Sequence, residues 1–409
     1  MRLFLAAALL ALPATLRAEP MSFDEALALA DARAPELKAR DAGIDAARST
    51  AIAADRLPDP KLNLVLRDFP VTGPDAGRFN SDDFTTQVIG ISQDIPNLAK
   101  RHARAARAGA DIGVAEADRT VTAQDVRLAT ALAWIDLFYA KKRLKELDLL
   151  DVGLDDLQST VTARLASGAA RPAQALEPEQ LRAELADRRS TLEAEIARFR
   201  AQLVRYTADP EADTSDALPP LDLDAEELHG DLPALPRLRA FDARVAAADA
   251  ETGLARADKR PDWSVNAAYG RREPNFGDLV TVGVTIDLPL FAKKRQDPRI
   301  SARASEAAQA RLDRETAERD LAAALTADLA LHRMHDAQLA NARTRLVPLA
   351  RKRAELDLES YGAGRLDLGT ALLSTLALAE AEVDALAREA EIARETIRIR
   401  FTYGKEARR

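Results

Sequence analysis

The feature that most constrains this fold is an internal repeat. The segment from Gly90 to Lys100 reads GISQDIPNLAK, and the segment from Gly283 to Lys293 reads GVTIDLPLFAK. Glycine, Asp-aliphatic-Pro and Ala-Lys recur at the same spacing in both. Each copy is a short alternating run that predicts a strand, followed by a proline and the beginning of a long helical pattern. A strand that leads into a long helix, used twice, predicts a duplicated fold.

Further matches extend the repeat to nearly the whole chain. The string EAEIAR stands at Glu193–Arg198 and again at Glu389–Arg394. Pro-Asp precedes the first predicted strand of each half, at Pro58 and at Pro261. We therefore expect a first repeat over residues 19–206, an acidic, proline-containing linker over 207–235, and a second repeat over 236–409.

Two hydrophobic periods alternate within each repeat. Period-two alternation predicts strands, and apolar residues three and four apart predict long packed helices. The predicted strands cover approximately residues 61–69, 84–95, 262–271 and 278–288. The predicted long helices cover residues of about 98–166, 172–206, 293–360 and 366–403. A helix over 98–166 would extend about 100 Å, which suits a helical tube better than an ordinary globular domain.

Composition excludes several classes of protein. Residues 1–18, with Arg2 before a short apolar run, predict a secretory signal peptide. The absence of cysteine excludes disulfides, thiolate metal sites and a lipid anchor on cysteine. A net charge of −8 argues against nucleic acid as a partner. No phosphate-binding glycine loop, G-x-S-x-G or zinc-protease motif occurs, so we expect neither an enzyme nor a cofactor.

The predicted strands have the length of outer-membrane barrel strands. Four strands cannot close a barrel, and open sheet edges are not tolerated in lipid. Either they form a soluble sheet, or several chains pool them into one barrel. Aromatic residues near strand ends favour the second interpretation: Phe69, Phe84, Trp263 and Tyr269.

The order helix, hairpin, long helix, reversal and return helix, repeated once, resembles the TolC-type outer-membrane efflux channel family. The resemblance implies a mainly α fold with a small β part, built from two repeats of helix, β-hairpin and long antiparallel helical hairpin. It implies a homotrimer whose twelve-stranded β-barrel continues as an α-helical barrel. It also implies an outer membrane location in a Gram-negative bacterium with a large periplasmic part. The implied partners are outer membrane lipid, a periplasmic adaptor (membrane fusion) protein and an inner-membrane RND-type pump.

Two stretches refine this resemblance. Ile91–Pro96 with Lys100-Arg101, and Arg295–Ile300, resemble the heavy-metal branch of the family, the cobalt–zinc–cadmium and copper exporters. The expected function is a passive exit duct for metal cations or small toxic compounds. The alternative is a soluble periplasmic coiled-coil adaptor or structural protein. An adaptor should carry one helical hairpin, whereas this chain has two.

The resemblance also assigns a periplasmic gate and adaptor contact to the two reversals between long helices. The implied residues are Tyr361, Gly364, Arg365, Asp367, Gly168 and Arg171. The family's constricting aspartates would fall at Thr370 and Leu373, which departs from that pattern. Asp367 could instead supply a ring of three carboxylates if it faces the lumen. The other interpretation is an ordinary solvated acid at a helix start, favoured there by the helix dipole.

Two further groups of residues are candidates. Asp94 with Pro96, and Asp287 with Pro289, should form the barrel-to-helix junctions, because proline cannot donate to a β-ladder. His332 and His335 lie three apart on a predicted helix and could share a face. They are weak metal-binding candidates, since two imidazoles do not fill a coordination sphere, and we expect ordinary surface histidines and no bound metal.

Overall fold

The computed structural model describes residues 20–79, 82–168 and 171–408. The predicted signal peptide, residues 1–18, and Ala169 and Ala170 of the first reversal lie outside these ranges. The chain is mainly helical, with a four-stranded antiparallel sheet. The predicted fold class, two repeats of a helix, a β-hairpin and a long helical hairpin, is confirmed. The division into domains at 206 and 236 stays a prediction.

Four helices belong to the first repeat: α1 (Phe23–Arg33), α2 (Pro35–Ala54), α3 (Leu98–Ala166) and α4 (Glu177–Thr207). Ser22 begins α1 with a reciprocal capping box to Glu25. The Asn97 side chain accepts from the backbone N–H of Lys100 and so begins α3 directly after the sheet. The return helix α4 begins later than the predicted residue 172, because a 3-10 turn, Pro172–Ala175, comes first.

The second repeat follows a short linker helix, α5 (Ala225–Asp231). It contains α6 (Pro236–Ala257), α7 (Gln296–Asn341), α8 (Val347–Gly362) and α9 (Leu368–Tyr403). The single helix predicted over 293–360 is wrong in two places. The helix begins at Gln296, after a 3-10 turn. Leu290 occupies the position in the second repeat that Asn97 occupies in the first, and its side chain has no oxygen that could cap a helix. A π-helical turn, Ala342–Leu346, separates α7 from α8.

The strands are β1 (Lys61–Arg67), β2 (Thr86–Ile95), β3 (Asp262–Arg271) and β4 (Leu279–Asp287), paired in the order β1-β2-β3-β4. β1 ends two residues before the predicted end, where Asp68 takes a positive φ of 56°. Every neighbouring pair is antiparallel, and the outer edges of β1 and β4 pair with no other strand in the described chain.

The largest hydrophobic cluster lies midway along the long helices, not at the sheet. It joins α1, the middle of α3 and the C-terminal part of α9, with Trp134, Ile135 and Leu137 fully buried. The Trp134 indole N–H donates to the Met21 carbonyl at 3.0 Å, which satisfies its only polar atom. This middle layer therefore holds both hairpins together, with the sheet at one end and the reversals at the other. Within the described residues, no helix combines the length and apolar character needed to cross a bilayer.

Candidate functional site

The sheet has one apolar face and one polar face. The antiparallel register places alternate residues of all four strands on the same side. The apolar face carries Leu62, Leu64, Leu66, Ile89, Ile91, Trp263, Val265, Ala267, Tyr269, Val280, Val282, Val284 and Ile286. It is uncovered within one chain: Leu64 is 70% exposed and Val282 76%. So extensive an exposed apolar surface indicates contact with lipid or protein.

The opposite face is polar and lined by small residues. Asn63 donates to the Ser92 hydroxyl at 3.2 Å, and the Lys61 ammonium lies 2.7 Å from the Asp94 carboxylate. Gly90 and Gly283 lie on this same face. Because most of its side chains are polar or small, this face suits a water-filled space.

A cluster of charges joins the two repeats where the sheet meets the helices. The Lys100 ammonium on α3 lies 2.9 Å from a carboxylate oxygen of Asp258 and 3.0 Å from one of Asp262. The Asn97 side chain also donates to Asp262, at 2.8 Å. Burial opposes the charge of Lys100, but the two carboxylates outweigh it and raise the pKa of this lysine. The beginning of α3 is thereby tied to the beginning of β3.

The predicted junction residues lie beside this cluster. Asp94 is near the end of β2, and Pro96 separates that strand from α3. Asp287 ends β4, and Pro289 follows in the turn before α7. The two junctions differ, since the helix begins at once in the first repeat and only after a 3-10 turn in the second.

At the far end, the second reversal is a tight turn between α8 and α9. Gly364 has a positive φ of 72°, and its N–H donates to the Tyr361 carbonyl at 3.0 Å. Tyr361 is buried, 6% exposed, among leucines of both hairpins. Arg365 is exposed. Asp367 caps α9: its carboxylate accepts from the Thr370 backbone N–H at 3.0 Å.

The first reversal mirrors the second. Gly168 has a positive φ of 73° and donates its N–H to the Leu165 carbonyl. Arg171 follows it and is exposed. Both turns need a left-handed residue, which glycine adopts without strain.

The two reversals bring together carboxylates that the sequence does not associate. Asp367 and Glu177, at the beginning of α4, both lie against Gly369. From the position that a Cβ on this glycine would occupy, an Asp367 carboxylate oxygen is 3.3 Å away and a Glu177 carboxylate oxygen is 3.4 Å away. Burial, and then the charge of Asp367, raise the pKa of Glu177. Hydrogen bonds from Thr370 lower the pKa of Asp367. Sequence reasoning identified Asp367 but missed Glu177, whose only signal is its place in the turn after the first reversal.

The two histidines are not ordinary surface residues, contrary to the expectation. His332 and His335 on α7 are partly buried and face Glu395 of α9, which is 6% exposed. The His335 Nδ1 lies 2.9 Å from a Glu395 carboxylate oxygen, and the His332 Nδ1 lies 3.9 Å away. Among the residues described, no group of three or more His, Asp or Glu side chains is arranged to hold a metal ion.

Solved structures share this architecture along nearly its full length. CusC, whose structures concern transmembrane channel formation, has a TM-score of 0.76 at 14% identity, covering 93% of this chain and 92% of its own. VceC, an outer membrane protein of Vibrio cholerae, has a TM-score of 0.76 at 14% identity, covering 93% and 96%. The Campylobacter jejuni CmeC outer membrane channel has a TM-score of 0.76 at 12% identity, covering 93% and 85%. The chain has the TolC-type channel fold. No protein-family model and no curated protein matches the sequence.

Proposed function

We propose that this chain is the outer-membrane channel component of a tripartite efflux system. Three copies would pool their sheets into a twelve-stranded barrel, and their long helices would continue it as a periplasmic tube. The observation that carries the proposal is the two-faced sheet with open antiparallel edges on both sides. A bilayer requires an apolar face toward lipid, a polar face toward water and a partner for every strand edge. Pairing of the two open edges between copies would meet the last requirement. The channel structures that share the fold support this interpretation.

Three copies also suit the side chains of the polar face. An eight-stranded barrel is just wide enough for its interior side chains to fill, whereas larger barrels enclose a channel. The short residues on this face, including Gly90, Ser92, Asn266 and Gly283, would leave a twelve-stranded barrel open. The chain would act as a passive duct from periplasm to exterior, with energy supplied by an inner-membrane RND-type pump through a periplasmic adaptor.

Membrane fractionation with chemical crosslinking tests the proposal. We expect the protein in the outer membrane fraction as a trimer, and single-channel currents after its reconstitution into planar bilayers. A soluble periplasmic monomer would overturn the proposal and support the coiled-coil adaptor or structural protein instead. That alternative leaves the exposed apolar face of the sheet unexplained.

The gate is proposed at the reversals. Tyr361, Gly364, Arg365 and Asp367 of one hairpin and Gly168 and Arg171 of the other would meet the adaptor there. Three copies of Asp367, with Glu177 beside each, would form an acidic ring at the tube's end. We expect Asp367→Ala to weaken block of the current by divalent cations. Asp75→Ala, in the polar loop between β1 and β2 at the opposite end, is the matched control. Unchanged block in Asp367→Ala would reject the ring.

The cargo is proposed to be metal cations or small toxic compounds, with the heavy-metal branch favoured by Ile91–Pro96 and Arg295–Ile300. A deletion strain should become more sensitive to cobalt, zinc, cadmium or copper salts, and the wild-type chain should restore its growth. Sensitivity only to organic toxicants would reject the branch and leave the channel proposal intact.

A further inference from the structure

The two hairpins of the sheet are structurally equivalent residue by residue. Asn63 of β1 pairs with Gly90 of β2, and Asn266 of β3 pairs with Gly283 of β4. The same asparagine-opposite-glycine pair thus anchors both hairpins. It makes β1 equivalent to β3, and β2 equivalent to β4, with no gap over the paired residues.

The junction between hairpins inside the chain therefore predicts the junction between chains. Within the chain β2 pairs with β3, and Ser92 stands opposite Asn266. Thr285 of β4 is the equivalent of Ser92, and Asn63 of β1 is the equivalent of Asn266. The same pairing between two copies therefore places Thr285 opposite Asn63. Since the sheet has an even number of antiparallel strands, a second copy placed at either edge continues the antiparallel pattern.

From this equivalence we infer the register of the seam between neighbouring subunits, an inference that rests on the proposed function. β4 of one copy pairs with β1 of the next, so that a direct partner is assigned to each seam residue. The assigned pairs are Asp287 with Lys61, Ile286 with Leu62, Thr285 with Asn63, Val284 with Leu64, Gly283 with Val65, Val282 with Leu66 and Thr281 with Arg67.

Side-chain chemistry supports this register independently of the repeat. It places Val282, Val284 and Ile286 beside Leu66, Leu64 and Leu62, so the apolar face runs unbroken across the seam. A slip of one residue would put these apolar side chains opposite the polar face.

Charge and size also match. Asp287 makes no ion pair in the described part of its own chain, and the seam places it directly opposite the Lys61 ammonium. Val65 is a large apolar side chain on the polar face, and it stands opposite Val88 of β2 within the chain. The seam places Val65 opposite Gly283, which has no side chain to collide with it. Within the chain, Gly90 leaves room for Ala268 in the same way.

Disulfide crosslinking tests the register in a chain that has no cysteine of its own. The matched double variants are Thr285→Cys with Asn63→Cys, and Thr281→Cys with Arg67→Cys. The mismatched controls exchange the same substitutions: Thr285→Cys with Arg67→Cys, and Thr281→Cys with Asn63→Cys. In one chain the two edges are about 14 Å apart, three strand spacings, so a disulfide must join two copies.

After mild oxidation of outer membrane fractions, the matched variants should give at least about tenfold more covalent trimer than the controls. Mismatched positions are four residues apart along the strand, about 13 Å, which is too far for a disulfide. Trimer from a mismatched pair would overturn the register while leaving the channel proposal standing. A soluble monomer that no pair crosslinks would overturn both.

A second measurement needs no substitution. Zero-length carbodiimide coupling of a mixture of heavy- and light-isotope wild-type chains should yield a mixed-isotope peptide that joins Lys61 to Asp287. If isolated trimers yield only the Lys61–Asp94 product from within one chain, the register is wrong.

Discussion

The Tyr139 phenol on α3 donates a hydrogen bond of 3.3 Å to the Glu389 carboxylate on α9. The same carboxylate lies 3.3 Å from the Lys142 ammonium and also pairs with Arg343 in the π-helical turn. Burial, and then Glu389, raise the pKa of Tyr139 well above its usual value, so the phenol keeps its proton. One carboxylate thus ties the first helical hairpin to the second, between the buried middle layer and the reversals.

If the reversals open by parting of the hairpins, Glu389→Gln should favour the open channel. The amide keeps the shape of the carboxylate but loses its attraction for Lys142 and Arg343. We expect a larger single-channel conductance in planar bilayers, and greater sensitivity of cells to large antibiotics. Arg353→Gln is the control, because Arg353 pairs with Asp357 on its own helix and joins no two elements. Equal conductance in Glu389→Gln and wild type would contradict the prediction.

Arg188 of α4 and Glu380 of α9 form a second link between the hairpins. Both side chains are about half exposed, so the pair contributes less than about 1 kcal/mol. Reversal of one charge should have a larger effect, because it replaces attraction with repulsion. We expect Arg188→Glu to raise conductance and Arg188→Glu with Glu380→Arg to restore most of the wild-type value. A double variant as open as the single one would show that the pair does not hold the tips.

Asp136 of α3 should make stability depend on pH. Burial raises its pKa to about 6, although Arg394 lies 3.2 Å away. Between the unfolded value, about 4, and that folded value, the folded state binds more protons. The free energy of unfolding should therefore fall as pH rises through this window, by up to about 3 kcal/mol. Asp136→Asn should flatten the dependence of the melting temperature on pH in detergent. An unchanged slope would count against this role.

His335 should stabilise the buried Glu395. His335→Ala removes the ring nitrogen that lies 2.9 Å from a buried Glu395 carboxylate oxygen, which makes no hydrogen bond of its own in the described chain, and loss of a polar neighbour at a buried site costs about 1–3 kcal/mol. His332→Ala is the matched control and should cost less, since its ring nitrogen lies 3.9 Å from the carboxylate. Denaturant unfolding in detergent measures both. Glu395→Gln should recover part of the loss in the His335→Ala background, and no recovery would mean that the histidine acts through packing alone.

The fold class could be predicted because the repeat and the two hydrophobic periods are local properties of the sequence. The strand and helix patterns around Gly90 and Gly283 needed no knowledge of distant contacts. The late beginning of α7 was a missed local signal, since Leu290 replaces the capping Asn97. The π-helical turn at Ala342–Leu346 also had a missed local signal, Pro348, which has no N–H to donate to the carbonyl four residues earlier.

The candidate site was less accessible to sequence reasoning because its groups come from distant segments. Glu395 is one acid among many on α9, and only the packing of α7 against α9 shows that it is buried beside two histidines. Glu177 and Asp367 likewise lie close together only because the return helices α4 and α9 begin side by side. The carboxyl groups of these three residues depend on tertiary contacts that hydrophobic periodicity does not encode.

The even, up-and-down order of the four strands has a consequence for assembly. Its two outer edges are complementary for any number of copies, so strand pairing alone does not count the subunits in a ring. Ring size must then be set by the angle at which neighbouring copies meet, and the rigid helical part is long enough to fix that angle. Residues far from the sheet would thereby determine the bore of the barrel.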